Sequence, residues 1–111
     1  MATDILKAFE PLFYPKSLAV IGASSEMTKF GNVILRALLE IGFEGKIYPV
    51  NTEGGEINGL KAYRSLQEIP GEVDFAVMTI PAPAVTSSLE ECLHRGVKGV
   101  EILTSGFRET G

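Results

Sequence analysis

The chain has 111 residues, 45% hydrophobic and 22% charged, with a net charge of −4, which describes one ordinary domain that folds around a core. It carries no basic run and no aromatic-basic interleaving, so general nucleic-acid binding is not expected, and no apolar run reaches the ~20 residues of a membrane span. A single cysteine, Cys92, and a single histidine, His94, exclude a disulfide framework or a Cys/His zinc site within one chain, and an N-terminus without an apolar h-region points to a cytoplasmic protein.

Ala2 to Glu10 reads as a short helix with Thr3 as its N-cap, ended by Pro11 and Pro15. Ser17 to Ala23 is a nearly continuous apolar run, the pattern of a strand buried on both faces. Ser24 to Lys29 reads as loop. Gly31 to Ile41 places Val33, Ile34, Ala37, Leu38 and Ile41 on one helical stripe, and Gly42 stops it. "KIYPVN", Lys46 to Asn51, is a second strand whose Pro49 argues for an edge or strand-end position. A turn-rich stretch follows in which Asn58-Gly59 fits a tight turn, then a helical turn from Ser65 to Ile69 ended by Pro70. Val73 to Ile80 is a third buried strand, Ala84 to Arg95 a helix stopped by Gly96, and Lys98 to Leu103 a fourth strand.

Apolar strands alternating with helices on short connections predict an α/β fold, a Rossmann-like doubly wound parallel sheet with helices on both faces, truncated after its fourth main strand. The final segment "VEILTSGFRETG" ends just past a strand, which suggests a piece cut from a longer protein. Such sheets bind ligands beyond the C-terminal ends of their strands. Four loops are expected to converge there: Gly22 to Asn32, Asn51 to Gly55, Pro81 to Val85 and Thr104 to Glu109.

The first loop is the most informative. Gly22 permits a sharp turn at the strand end, and Ala23, Ser24 and Ser25 keep side chains short, so that backbone N–H groups can approach an anion. Gly31 lies at the start of the next helix, where unpaired N–H groups and the positive end of the dipole favour a diphosphate. The bland reading is that any α/β domain needs a glycine at a tight strand-helix turn. A nicotinamide dinucleotide would want an acid at the end of the second strand. That end reads Val50-Asn51-Thr52, with Glu53 late, and the glycines lack the G-x-G-x-x-G spacing.

Five segments in order, "SLAVIGAS", "FGNVILRALLEIGFEGKIYPVN", "GLKAYRSLQEIP", "VDFAVMTIPAPAV" and "GVKGVEILTSGFRETG", resemble the CoA-binding domain of the NDP-forming acyl-CoA synthetases, relatives of the succinyl-CoA synthetase alpha subunit. The resemblance runs from about Phe13 to Gly111 and implies that residues 1–111 are a CoA-binding domain, the N-terminal part of a multidomain protein. It further implies that Gly22, Ala23, Ser24 and Ser25 lie against the CoA nucleotide and that Lys29, Phe30 and Gly31 close the loop. Asn51, the segment Ile80, Pro81 and Ala82, and Leu103, Thr104 and Ser105 would line the remaining groove, and Gly106 and Glu109 would lead the pantetheine toward the reaction centre. Lys29 and Glu109 also read as solvated surface residues, and Phe30 as packing.

One departure stands out. After "PVN" the family commonly carries a proline and then a basic residue, where this chain has Thr52 and Glu53. The resemblance assigns catalysis, ATP/ADP and Mg to other domains: an ATP-grasp domain and a phosphohistidine domain, in the same chain or a partner subunit. No catalytic or metal-ligating residue is expected in this segment. His94, near the end of a helix, reads as a surface or capping residue and Cys92 as a buried structural thiol. The whole enzyme would join a carboxylic acid to CoA with ATP cleavage. The alternatives are a non-enzymatic CoA-binding module, stand-alone or fused to an acetyltransferase or regulatory domain, and an NAD(H)-binding domain. A carboxylate placed at Gly31 is expected to abolish CoA binding while sparing the fold.

Overall fold

The computed structural model describes residues 16–103. The helix expected at Ala2 to Glu10 lies outside them. Four strands form one parallel sheet in the order β2-β1-β5-β6: β1 (Ser17–Ile21), β2 (Lys46–Val50), β5 (Phe75–Met78) and β6 (Gly99–Ile102). Helix α1 (Phe30–Glu40) connects β1 to β2, and helix α2 (Val85–Arg95), entered through a 3-10 turn at Ala82–Ala84, connects β5 to β6. Between β2 and β5 lie a two-stranded antiparallel hairpin, β3 (Glu56–Ile57) and β4 (Leu60–Lys61), and a 3-10 turn, Leu66–Glu68.

Alternation along the central strands builds two cores, because successive side chains leave a strand on opposite faces. Leu18, Val20, Phe75 and Val77 pack against Ile34, Leu35 and Leu38 of α1. Ala19, Ile21, Ala76 and Met78 pack against Leu66, Ile69 and Cys92, with Leu89 at the margin. Helices therefore cover both faces, as the apolar runs imply. Burial pushes the Cys92 thiol up to about 11, with the Glu91 carboxylate adding to it, which favours the protonated form of a packed thiol. His94 is exposed in the last turn of α2.

Local signals place the boundaries. Pro49 sits in β2, an edge strand, with its carbonyl turned outward to accept from Tyr63 N–H at 2.8 Å. Its missing donor faces the same outer edge, where among the described residues only the isolated Val50–Tyr63 bridge continues the sheet. Asn58 and Gly59 both have positive φ, 52° and 85°, the requirement of a two-residue hairpin turn. Gly96 caps α2 in the left-handed region at φ 77°. The guanidinium of Arg95, also in the last turn of α2, donates to the carbonyls of Leu66, Ile69 and Gly71 and fastens the 3-10 segment to that helix.

Candidate nucleotide-binding cleft

The chain runs from β1 outward to β2, then returns across β1 to β5. The loops leaving β1 and β5 therefore diverge, and a crevice opens above their C-terminal ends. A cleft of about 760 Å3 lies there, within the range of small-ligand sites. Of the residues expected from sequence, Gly22, Ala23, Ser24, Lys29, Phe30, Gly31, Asn51, Ile80 and Pro81 line it. Ser25 and Ala82 are exposed nearby without lining it, and Leu103 packs toward the α1-side core. Thr104, Ser105, Gly106 and Glu109 lie outside the described residues.

The loop after β1 is held from several sides. Gly22 and Ala23 donate their N–H groups to Val50 O, at 3.0 and 3.1 Å. These two amides are thus taken by β2, so Ala23 lines the cleft with its N–H already partnered. Asn51 Nδ2 donates to Ala23 O at 2.8 Å, and Asn51 Oδ1 accepts from Glu53 N–H at 2.7 Å. Asn51 therefore braces the loop. Asn32, fully buried, donates from Nδ2 to Ser24 O at 2.7 Å, while its Oδ1 accepts from Arg36 Nε at 2.8 Å. Arg36 reaches on to Met27 O at 3.0 Å. One asparagine from β2's end and one from α1 so fix consecutive carbonyls of the loop, and a buried amide without these partners would carry a desolvation cost.

The glycines set the closeness of this packing. Gly22 has φ 94°, and a Cβ there would lie 2.7 Å from Thr79 Oγ1. A Cβ on Gly31 would lie 2.1 Å from Gly22 O. That contact is with backbone, so Gly31 lets α1 start directly against the strand-loop turn. The expectation that an aspartate at Gly31 spares the fold is corrected by this contact: any side chain there forces backbone to shift before it meets a ligand.

What remains open is the start of α1. Its N-cap residue Lys29 is extended and makes no side-chain cap. Asn32 and Val33 donate to Lys29 O, whereas the N–H groups of Phe30 and Gly31 have no hydrogen-bond partner among the described residues. Two unpaired amides at the positive end of an eleven-residue helix, facing a cleft, suit an anionic ligand. Lys29 stands beside them, exposed and without an ion pair among the described residues.

Sequence reading missed two parts of the lining. Ser87, Ser88 and Glu91 enter from α2, in line with Ala84 of the 3-10 turn before it, which lies in the expected Pro81–Val85 loop. Counted from Ala84, their spacing, i, i+3, i+4 and i+7, is a small and polar stripe on one helix face, the signal that would have found them. Ser88 is 8% exposed and its hydroxyl has no partner among the described residues. Arg64 and Ser65 also line the cleft, brought there because Tyr63 bridges to Val50 at the outer edge of β2. No carboxylate from the end of β2 lines the cleft among the described residues, so the nicotinamide-dinucleotide pattern lacks its ribose acid. No helix of the described residues is long and apolar enough to cross a membrane.

Known proteins share this arrangement. A model of the CoA-binding domain family matches residues 16–110. The alpha subunit of ADP-forming acetate–CoA ligase I from Pyrococcus furiosus is 56% identical over 94% of this chain, and the ADP-forming acetate–CoA ligase of Methanocaldococcus jannaschii is 46% identical over 88%. The chain spans about a quarter of the first relative, 23%, and 14% of the second. Among solved structures, an acetyl-coenzyme A synthetase of Ca. Korarchaeum cryptofilum in complex with phosphate and ADP superposes with a TM-score of 0.83 at 44% identity, covering 93% of this chain and 22% of that one. A small conserved hypothetical protein of Pyrococcus furiosus superposes with a TM-score of 0.73 at 35% identity, and there the match covers 77% of the other chain. With a family match across nearly all its length and a cleft at the switch of its sheet, the chain belongs to the CoA-binding domain family.

Proposed function

We propose that the cleft binds CoA, with the diphosphate against the N-terminus of α1, and that the chain is the CoA-binding part of an ADP-forming acyl-CoA ligase. The observation that carries the reading is the pair of unpartnered Phe30 and Gly31 amides, beside Lys29, in a cleft at the point where strand order reverses. The donor set fits the ligand: amides and a lysine for phosphate, Ile80 and Pro81 as apolar surface, and a buried serine hydroxyl in need of a partner. In the complete enzyme, ATP cleavage and transfer through a phosphohistidine would occur on other domains or a partner subunit, in the cytoplasm. The part played by this chain is to bind CoA and orient it, and it catalyses nothing alone.

Calorimetric titration with CoA and, in parallel, NADH tests the site. CoA is expected to bind and NADH not to; tight NADH binding without CoA binding overturns the reading. Lys29→Ala is expected to weaken CoA about tenfold, an exposed lysine-phosphate contact being worth about 1 kcal/mol or somewhat more. That loss should shrink as salt rises. An unchanged affinity at low salt would mean that Lys29 is only solvated and that amides alone hold the phosphates.

The small Pyrococcus furiosus protein, most of whose length this fold fills, favours a second reading: a free-standing CoA-binding module. The native-length protein incubated with acetate, ATP and CoA separates the two. Formation of acetyl-CoA and ADP supports the ligase, and CoA binding without turnover, alone or with co-purifying subunits, supports the module.

A further inference from the structure

CoA carries two separate anionic groups, a diphosphate and a ribose 3′-phosphate. The start of α1 supplies donors for one. The positions after Asn51, where a cation for the nucleotide end would be sought, are Thr52 and Glu53. Beside Lys29, the cleft has one other cationic residue among its described lining residues, Arg64, and one acid, Glu91.

Arg64 is held where that cation is missing. Tyr63 donates to Pro49 O and accepts from Asn51 N–H, both at 2.8 Å, which fixes the chain along the outer side of β2. The Arg64 N–H then donates to Glu68 Oε1 at 3.1 Å. Gly54, at φ 69°, leaves room for the side chain: a Cβ there would lie 3.3 Å from both Arg64 Cγ and Nε. The arginine stem therefore crosses the turn that leaves β2, over the residues after Asn51. Its guanidinium has neither an ion pair nor a hydrogen bond among the described residues. Lys29, by contrast, belongs to the loop after β1, one strand further in.

Resting on the CoA reading above, we propose that Arg64 binds the ribose 3′-phosphate of CoA and is the residue by which this cleft distinguishes CoA from dephospho-CoA. A phosphomonoester carries close to two charges at neutral pH and offers three acceptor oxygens, which the planar guanidinium fork matches in pairs. Lys29 and the α1 amides are left for the diphosphate. The cation comes from the segment that follows β4, in place of the loop that follows β2.

Calorimetry with CoA and dephospho-CoA, at low salt, tests this on the wild type, Arg64→Ala, Arg64→Gln, Arg64→Lys and Lys29→Ala. Wild type should prefer CoA. Arg64→Ala and Arg64→Gln should each weaken CoA about tenfold and leave dephospho-CoA unchanged, Arg64→Lys should recover part of the loss, and Lys29→Ala should weaken both ligands alike. The glutamine variant keeps a stem over Gly54, so agreement between the two variants separates charge from packing. Equal loss for both ligands, or no loss for CoA, overturns the assignment of Arg64 and leaves the CoA site intact. A wild type that binds neither ligand overturns the CoA reading itself.

Discussion

The two ends of the parallel sheet use the same kinds of group to opposite effect. At the N-terminal end, polar groups satisfy one another. Lys16 N–H donates to Asp74 Oδ2 at 2.9 Å, Asp74 N–H donates to Ser17 Oγ at 2.9 Å, and Asp74 O accepts from the amides of Lys98 and Gly99. Lys46 N–H donates to Lys16 O, and Lys98 Nζ lies 3.6 Å from Asp74 Oδ1. The starts of all four strands are tied through this cluster. At the C-terminal end the loop carbonyls are braced by Asn32 and Asn51, but the Phe30 and Gly31 amides, the Lys29 ammonium, the Arg64 guanidinium and the Ser88 hydroxyl have no partner among the described residues. One end is closed for stability. The other has its loop backbone braced by hydrogen bonds and several donors unpartnered among the described residues, the arrangement that preorganises a binding site.

The largest expected effect tests that bracing. Gly31→Ala places a methyl group 2.1 Å from Gly22 O. Alanine ordinarily favours a helix over glycine by about 1 kcal/mol, yet overpacking against backbone costs about 1–3 kcal/mol. The variant is expected to be destabilised in denaturant titrations and to lose CoA binding, because the loop and the helix start move apart. Gly42→Ala is the control. Its φ of 73° makes alanine strained, but nothing lies within 4 Å of its Cβ position. It should cost about 1 kcal/mol and leave CoA affinity unchanged. A Gly31→Ala protein as stable and as competent as wild type would show that the loop yields easily.

A smaller effect is expected at the closed end. The Lys16 amide, aided by the charge of Lys98, holds the Asp74 carboxyl below its ordinary range, against a desolvation effect that raises it. A depressed folded-state value means that the ionised form stabilises the fold. That contribution is complete above the ordinary aspartate value of about 4 and disappears as pH falls through the lower folded value. Asp74→Asn should therefore be less stable than wild type at pH 7, by about 1 kcal/mol for one charge-assisted hydrogen bond. The gap should close as pH drops below about 4. CoA affinity at pH 7 should not change, since Asp74 lies at the other end of the sheet. A pH-independent gap would assign its cause to packing.

The closed and open ends were not equally legible in the sequence. Strands β1, β2 and β5 announce themselves as short apolar runs because both their faces are covered. Pro49, Asn58-Gly59, Gly42 and Gly96 mark edges and stops through backbone constraints that act locally. Gly22, Lys29, Phe30 and Gly31, which line the cleft, likewise lie in one contiguous loop whose composition is read locally. The brief strands β3 and β4 were not legible, since two residues each leave no periodic pattern. Arg64 was missed because its place depends on the long-range bridge between Tyr63 and Val50. The bracing by Ala23 and Asn51 was not legible for the same reason: their partners, Val50 O and Ala23 O, are distant in sequence.

The smallest effect belongs to Ser88, where stability and binding should part. The residue lies on the polar stripe of α2, faces the cleft, and is 8% exposed with an unpartnered hydroxyl. In the absence of ligand, a buried hydroxyl without a partner contributes no hydrogen bond and some desolvation cost, and serine is a poorer helix former than alanine. Ser88→Ala removes that cost and leaves a residue of similar volume. Melting of the ligand-free variant should therefore be unchanged or slightly higher than wild type. Bound CoA has amides, hydroxyls and ring nitrogens able to pair with a serine. A net hydrogen bond is worth about 0.5–1.5 kcal/mol, so CoA affinity should fall by a factor of about 2 to 10. Thermal melts with and without CoA measure both halves: the ligand-induced rise in melting temperature should shrink while the ligand-free value does not fall. If the ligand-free variant is clearly less stable, the hydroxyl already has a partner in the folded chain, and Ser88 belongs with the bracing groups instead of the open ones.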